Sequence, residues 1–107
     1  MEPLHLTTTR RNGTLTVSVS GELDIATTEL LRAHLLDLLQ EAGRAPHKQV
    51  ALVVEVSRLA FIDAAGLGVL VCAHNQARAQ RTPLRLTGVP PALRRLLRLT
   101  GLEGRLT

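Results

Sequence analysis

The chain has 107 residues, of which 45% are hydrophobic, so we expect a single folded domain over residues 1–107 and exclude a disordered segment. Phe61 is the only aromatic residue, which argues against nucleic-acid binding through stacked aromatic side chains. Cys72 is the only cysteine, so no internal disulfide can form and a reducing compartment fits best. No stretch has the pattern of a signal peptide or of a bilayer-spanning segment, and we therefore expect a cytoplasmic protein without membrane insertion.

The net charge of +4 is unevenly distributed. From His74 onward the chain carries seven arginines against Glu103 alone. A basic surface of this kind can attract phosphate or an acidic partner. An arginine-rich, solvated helix face is the simpler interpretation, so we do not expect nucleic acid to be a partner.

The N-terminal part of the chain predicts a β-hairpin followed by a helix. Two runs alternate apolar with polar residues, Leu4–Thr9 and Leu15–Gly21, and the turn dipeptide Asn12-Gly13 lies between them. The next stretch predicts a helix that is closed by Gly43. Its apolar residues recur at helical spacing: Leu31, Leu35, Leu38 and Ala42.

The middle of the chain predicts a loop, a strand and a second helix. Residues 44–49 contain Pro46 and are predicted to form a loop. The continuous apolar run Val50–Val56 predicts a strand that is buried on both faces. The following helix is expected to bury one side, formed by Leu67, Leu70, Val71 and His74.

The last third predicts a short strand, Leu84–Gly88, and a third helix from Pro91 to Gly101. In that helix the leucines are predicted to point inward (Leu93, Leu96, Leu97) and the arginines outward (Arg94, Arg95, Arg98). Residues 105–107 could add a final short strand, which the sequence does not decide. The order β-β-α-β-α-β-α, with or without that strand, predicts an α/β domain with a mixed β-sheet carrying helices.

Few residues are arranged for catalysis or metal binding. The sequence has no GxxxxGK[ST] loop, no GxGxxG, no HExxH and no paired-cysteine zinc pattern. The four histidines are scattered and are expected at the surface or half-buried. We therefore expect no enzymatic activity, no cofactor and no metal.

The most distinctive stretch is "FIDAAGLGVL", residues 61–70. Asp63 ends an extended segment and precedes a helix, so its carboxylate is expected to cap the first free N–H groups. The small residues that follow leave the first turn bare for close approach by another molecule: Ala64, Ala65 and Gly66. Asp24 is interpreted as a second N-cap of the same kind, with Thr27 and Thr28 just inside its helix.

Three segments, in this order, resemble the STAS domains, named for sulfate transporters and anti-sigma factor antagonists. "SGELDIATTELLRAHL" is similar to the family's second strand, Gly-x-x-Asp turn and first helix. "LVVEVSRLAFIDAAGLGVLV" resembles the central strand and the Asp-Ser-Ser-Gly-Leu-Gly helix start. "LRLTGVPPALRRLLRLTGLEGRL" looks like the fourth strand and third helix. The free-standing bacterial antagonists are the members that the chain resembles most.

The resemblance implies a STAS-like fold and a non-enzymatic module that binds an anti-sigma factor with a histidine-kinase-like ATPase fold. It implies a partner-binding surface at Asp24, Asp63, Ala64, Ala65, Gly66, Leu67 and Gly68. In switchable members the partner is a serine kinase that phosphorylates the second serine of Asp-Ser-Ser and thereby abolishes binding. Here Ala64 and Ala65 occupy the two serine positions, and Glu55 stands where an aspartate is usual.

Because both hydroxyls are missing, we expect no phosphorylation at the usual site. Thr27, Thr28 and Ser57 remain as acceptors without support from the resemblance. The protein is then either a constitutive antagonist or a STAS subunit of another complex, such as a lipid-transport ATPase or a stress-sensing assembly. A nucleic-acid-binding module is a further, less favoured alternative.

Overall fold

The strands form one four-stranded sheet in the order β1-β2-β3-β4, in a computed structural model that describes residues 3–44 and 50–107. The first pair is antiparallel and the other two pairs are parallel. The strands are β1 (His5–Arg11), β2 (Thr14–Leu23), β3 (Ala51–Ile62) and β4 (Leu84–Thr87). The helices are α1 (Thr28–Gly43), α2 (Ala64–Ala79), α3 (Pro91–Leu99) and α4 (Glu103–Leu106).

The predicted hairpin is confirmed, with a two-residue turn between β1 and β2. Asn12 and Gly13 both have positive φ angles, 50° and 79°, as expected of the tight turn that matches the twist of the flanking strands. The register starts directly at the turn, where Arg11 faces Thr14.

One face of the sheet carries the core. The side chains of β3 alternate, with Leu52, Val54 and Val56 buried, whereas Val53 and Glu55 are only half-buried. The prediction of a strand buried on both faces is therefore wrong. Successive parallel strands joined by right-handed crossovers place both crossover helices, α1 and α2, on the same side of the sheet. The helices pack against each other there and leave the opposite face more open.

The helices largely follow their predicted periodicity. In α1 the four predicted inward residues are buried. In α2 Leu67 and Leu70 are buried as expected, but Val71 and His74 are only half-buried. The rest of the buried side of α2 consists of small and β-branched residues: Gly66, Val69, Ala73 and Ala77. The inward face of α2 is thus rotated from the predicted one.

The predicted face of α3 is confirmed in its main features. Pro91 is the first residue of the helix, Leu93 and Leu97 are buried, and Leu96 is half-buried. The arginines are exposed: Arg94, Arg95 and Arg98. The predicted loop over 44–49 lies outside the described residues except for Arg44, which is the C-cap that follows α1.

The alternative of a final short strand over residues 105–107 is wrong, because Glu103–Leu106 forms the short helix α4. The backbone N–H groups of Arg105 and Leu106 both donate to the Leu102 carbonyl, at 3.1 Å. The helical turn brings Leu106 into the core, where it is 1% exposed. Across residues 3–44 and 50–107, no helix combines the length and apolar character needed to cross a membrane.

Candidate functional site

The turns that follow β2 and β3 meet at one edge of the sheet. The two strands are parallel, and their last paired residues are Leu23 and Ile62. The backbone N–H of Asp63 donates to the Leu23 carbonyl at 3.2 Å, which fixes the second turn against the end of β2. We call the surface formed by residues 24–28 and 63–68 the carboxyl edge. The parallel topology therefore brings the two acidic turns of the sequence together.

Asp63 is the N-cap of α2, as predicted. Its backbone is extended (φ −112°, ψ −173°), and its Oδ1 accepts a hydrogen bond from the Gly66 N–H at 3.0 Å. Its carbonyl accepts from the Leu67 N–H at 3.0 Å and so begins the helical ladder. A carboxylate at this position also complements the helix dipole.

Asp24 does not cap α1, so its interpretation as a second N-cap is wrong. The cap position is Thr27, and α1 starts at Thr28, one turn further along the chain. Asp24 instead shapes the preceding turn, where its Oδ1 accepts from the Ala26 N–H at 2.9 Å. The Thr27 hydroxyl donates to the Glu22 carbonyl at 2.9 Å and accepts from the Asp24 N–H at 3.0 Å. These bonds hold the turn and use both hydrogen-bonding roles of Thr27.

The first turn of α2 presents little more than backbone to the solvent. Ala64 and Gly68 are exposed, Ala65 is half-buried, and Gly66 and Leu67 are buried. Gly66 is required by packing, because a Cβ there would lie 2.7 Å from Leu23 Cγ and 2.9 Å from the Leu23 carbonyl oxygen. A Cβ at Gly68 would meet no atom of the described residues within 4 Å. Of the predicted site residues in this turn, only the two alanines and Gly68 reach the surface.

Two exposed apolar side chains flank the carboxyl edge and were not predicted as site residues. Ile25, next to Asp24, is 80% exposed, and Phe61, two residues before Asp63, is 49% exposed. Phe61 also lines an apolar cavity of about 380 Å³ between the end of β3 and α3. No local sequence pattern identifies them, because their exposure depends on which parts of the fold leave them uncovered. Exposed apolar groups rimmed by polar ones are typical of a protein-binding surface.

The chemistry of this edge suits contact and not catalysis. Its polar side chains are committed to turns and caps, as shown above for Asp63, Asp24 and Thr27. Within the described ranges, no three His, Cys, Asp or Glu side chains are grouped so that they could hold a metal ion. The fold and this edge together define a small α/β module whose distinctive surface combines exposed apolar side chains with a bare helix turn.

Comparison with known proteins agrees with that class. A family model described as "Mlab, STAS domain" matches residues 6–107, and the chain belongs to the STAS domain family. The chain is 30% identical over 90 residues to the anti-sigma F factor antagonist of Paenibacillus polymyxa, covering 84% of this chain and 73% of the relative. It is 28% identical over 100 residues to the anti-sigma-B factor antagonist of Staphylococcus aureus, covering 94% and 87%.

A solved structure of an anti-sigma factor antagonist from Mycobacterium paratuberculosis superposes with a TM-score of 0.81 at 26% identity. The match covers 96% of this chain and 82% of that one. The predicted STAS-like α/β fold is therefore confirmed. The chain shares its family with anti-sigma factor antagonists, which are not enzymes, and the expectation of a non-enzymatic protein is confirmed.

Proposed function

We propose that the protein is a cytoplasmic anti-sigma factor antagonist that binds its anti-sigma factor through the carboxyl edge. The partner is expected to have the histidine-kinase-like ATPase fold that the family's partners share. The observation that carries the proposal is the meeting of the Asp24 turn with the bare first turn of α2 at one edge of the sheet.

The shape of the edge supports a close protein contact. Ala64, Ala65 and Gly68 let a partner's surface approach the backbone of α2, because none of them has a side chain longer than a methyl group. Ile25 and Phe61 supply apolar area beside this turn. Buried apolar anchors surrounded by polar groups carry most of the binding energy in protein interfaces.

We also infer that the protein is not switched by phosphorylation at this edge. The position that the family resemblance assigns to the phosphoacceptor is Ala65, which has no hydroxyl. Thr28 is buried, and the hydroxyl of Thr27 already donates to the Glu22 carbonyl. Ser57 is exposed, but it lies on β3, six residues before Asp63, where this part of the carboxyl edge begins. Antagonist activity would then be constitutive.

Affinity purification with the tagged full chain from its own bacterium tests the proposal. We expect recovery of an anti-sigma factor, and we expect the Ala65→Glu variant to lose it. Incubating the recovered partner with ATP and the protein, followed by mass spectrometry, should show no phosphate on Thr27, Thr28 or Ser57. Stoichiometric phosphate on one of these residues would contradict the constitutive interpretation.

A second candidate is a STAS subunit of another assembly, such as a lipid-transport ATPase or a stress-sensing complex. It is favoured by the missing hydroxyls at Ala64 and Ala65 and by a family model that is described as Mlab and not as an antagonist. The same purification separates the two, because it would recover subunits of that assembly in place of an anti-sigma factor.

A further inference from the structure

A second concave site lies at the opposite edge of the sheet, where β2 and β3 begin. It is a half-open cavity of about 430 Å³ between the start of these strands, the start of β4 and the C-terminal half of α2. Its floor is held by the Ala51 N–H, which donates to the Gly13 carbonyl at 3.0 Å, and the Leu52 N–H, which donates to the Pro83 carbonyl at 2.8 Å. We call it the amino-edge pocket. Its volume is in the range of small-molecule sites.

The pocket is lined by basic side chains and by no acidic one among the described residues. His74 and Arg78 are four residues apart on α2 and therefore share one side of the helix, and Arg85 comes from β4. Some arginines outside the pocket meet carboxylates, such as Arg10 with Glu41 at 2.7 Å and Arg94 with Glu103 at 3.0 Å. Within residues 3–44 and 50–107, neither Arg78 nor Arg85 forms an ion pair.

A hydroxyl donor adds to this positive lining. Thr82 lines the pocket and is 7% exposed, and its Oγ1 accepts a hydrogen bond from Gln80 Nε2 at 2.8 Å. Because the oxygen accepts in that bond, the hydroxyl proton stays free to donate to a ligand. The N–H groups of arginine guanidinium side chains and a hydroxyl proton can together donate to the acceptor oxygens of a carboxylate or a phosphate.

The remaining wall is mostly aliphatic, with Thr14 as its one further polar residue. Its aliphatic residues are Ala51, Leu52, Val53, Ala77, Pro83 and Leu84. The only aromatic residue of the chain, Phe61, lines a different cavity, so a planar base would find no ring to stack on here. An apolar wall that shares one pocket with basic side chains favours a ligand with a short aliphatic body and one charged end.

We propose that the amino-edge pocket binds a small organic oxyanion, a carboxylate or a phosphate monoester with a short aliphatic chain. Arg78 and Arg85 hold the charged end, with His74 and Thr82 beside them, and the aliphatic wall covers the chain. The site is distinct from the carboxyl edge, since the two lie at opposite ends of β2, a strand of ten residues and roughly 30 Å.

Titration of the isotope-labelled full chain, followed through its backbone amide resonances, tests the proposal. The ligands are hexyl phosphate and hexanoate, with hexanol and inorganic phosphate as controls for the chain and the charge alone. We expect at least one anion to shift the resonances of residues 74–78 and 82–85. That anion should bind roughly tenfold or more tightly than either control, because each control lacks either the charge-assisted contact or the aliphatic chain. Binding of both anions assigns a general oxyanion site, and binding of hexyl phosphate alone assigns a phosphate site.

Arg78→Gln and Arg85→Gln should each weaken binding by roughly tenfold, since each removes a charged hydrogen-bond donor. Both side chains are exposed, so melting temperatures should stay close to that of the parent. Arg95→Gln on α3 is the charge-matched control and should bind like the parent. The proposal fails if hexanol binds as tightly as the anions, if neither anion shifts the pocket resonances, or if both variants bind like the control.

Discussion

Replacing Ala65 separates the contribution of the carboxyl edge to binding from its contribution to folding. Ala65 is the second residue of α2 and is half-buried, with exposed Ala64 beside it. A glutamate there can extend into solvent, and its charge is favourable by about 0.3–1 kcal/mol near a helix N-terminus. We therefore expect Ala65→Glu to melt within about 4 °C of the parent, the shift that roughly 1 kcal/mol produces in a domain of this size.

Partner binding should respond very differently. If the first turn of α2 lies against the partner, the glutamate carboxylate becomes buried without a counter-charge, at a cost of about 3–5 kcal/mol. Since 1.4 kcal/mol is tenfold in affinity, the dissociation constant should rise by roughly 100-fold or more. Ala65→Ser adds only a hydroxyl and should stay within a few-fold.

Calorimetry with the purified partner measures these affinities, and thermal melting monitors the fold. Asn75→Glu is the matched control, because Asn75 is exposed on the same helix, about 15 Å along the axis. It should bind like the parent. If Ala65→Glu melts and binds like the parent too, the carboxyl edge is not the docking surface.

The remaining predictions concern stability and the basic surface. Gly66→Ala should lower the free energy of unfolding by about 1–3 kcal/mol through overpacking. Gly68→Ala should raise it by up to about 1 kcal/mol, because alanine favours the helix over glycine. Equal denaturation midpoints for the two variants would contradict this packing. Arg10 lowers the pKa of Glu41 below its ordinary value of 4.5, so Glu41→Gln should reduce the melting temperature slightly at neutral pH. That difference should vanish as the pH falls below 4.5, because the parent then loses the same charge. Micromolar, salt-sensitive RNA or DNA binding that requires the exposed α3 arginines should be absent in a filter-binding assay: Arg94, Arg95, Arg98.

The elements that the sequence predicted well are those whose signals are local. The Asn12-Gly13 turn requires positive φ angles that few other dipeptides adopt, and the hairpin follows from it. The cap by Asp63 depends on atoms within three residues of it. The inward face of α2 was missed because residues 64–73 are apolar or small on every side, so periodicity alone does not choose a face. The burial of Leu106 was not predicted, because a few C-terminal residues are too short a stretch to show hydrophobic periodicity. Contact with the core decides their conformation.

The carboxyl edge was predictable in its residues and not in its geometry. Both acidic turns stand out in the sequence, but Asp24 and Asp63 differ in what they bond, because only one of them lies directly before a helix. The sequence alone does not distinguish the roles of Gly66 and Gly68. Gly66 is packed against the end of β2, whereas Gly68 faces open space among the described residues. The exposure of Ile25 and Phe61 depends on which parts of the fold leave them uncovered, and no local pattern encodes that.

Helix α2 is the element that relates the two sites. Its first turn, from Ala64, has small side chains and an aspartate cap, whereas its last two turns carry His74 and Arg78. The helix has sixteen residues and is about 24 Å long, so the small residues at its start and the basic residues near its end are kept apart on one rigid element. A contact surface needs a backbone that a partner can approach, and an oxyanion site needs fixed cationic side chains. Placing them at opposite ends of one helix lets each be built without compromising the other, and the buried side of α2 holds both against the same core.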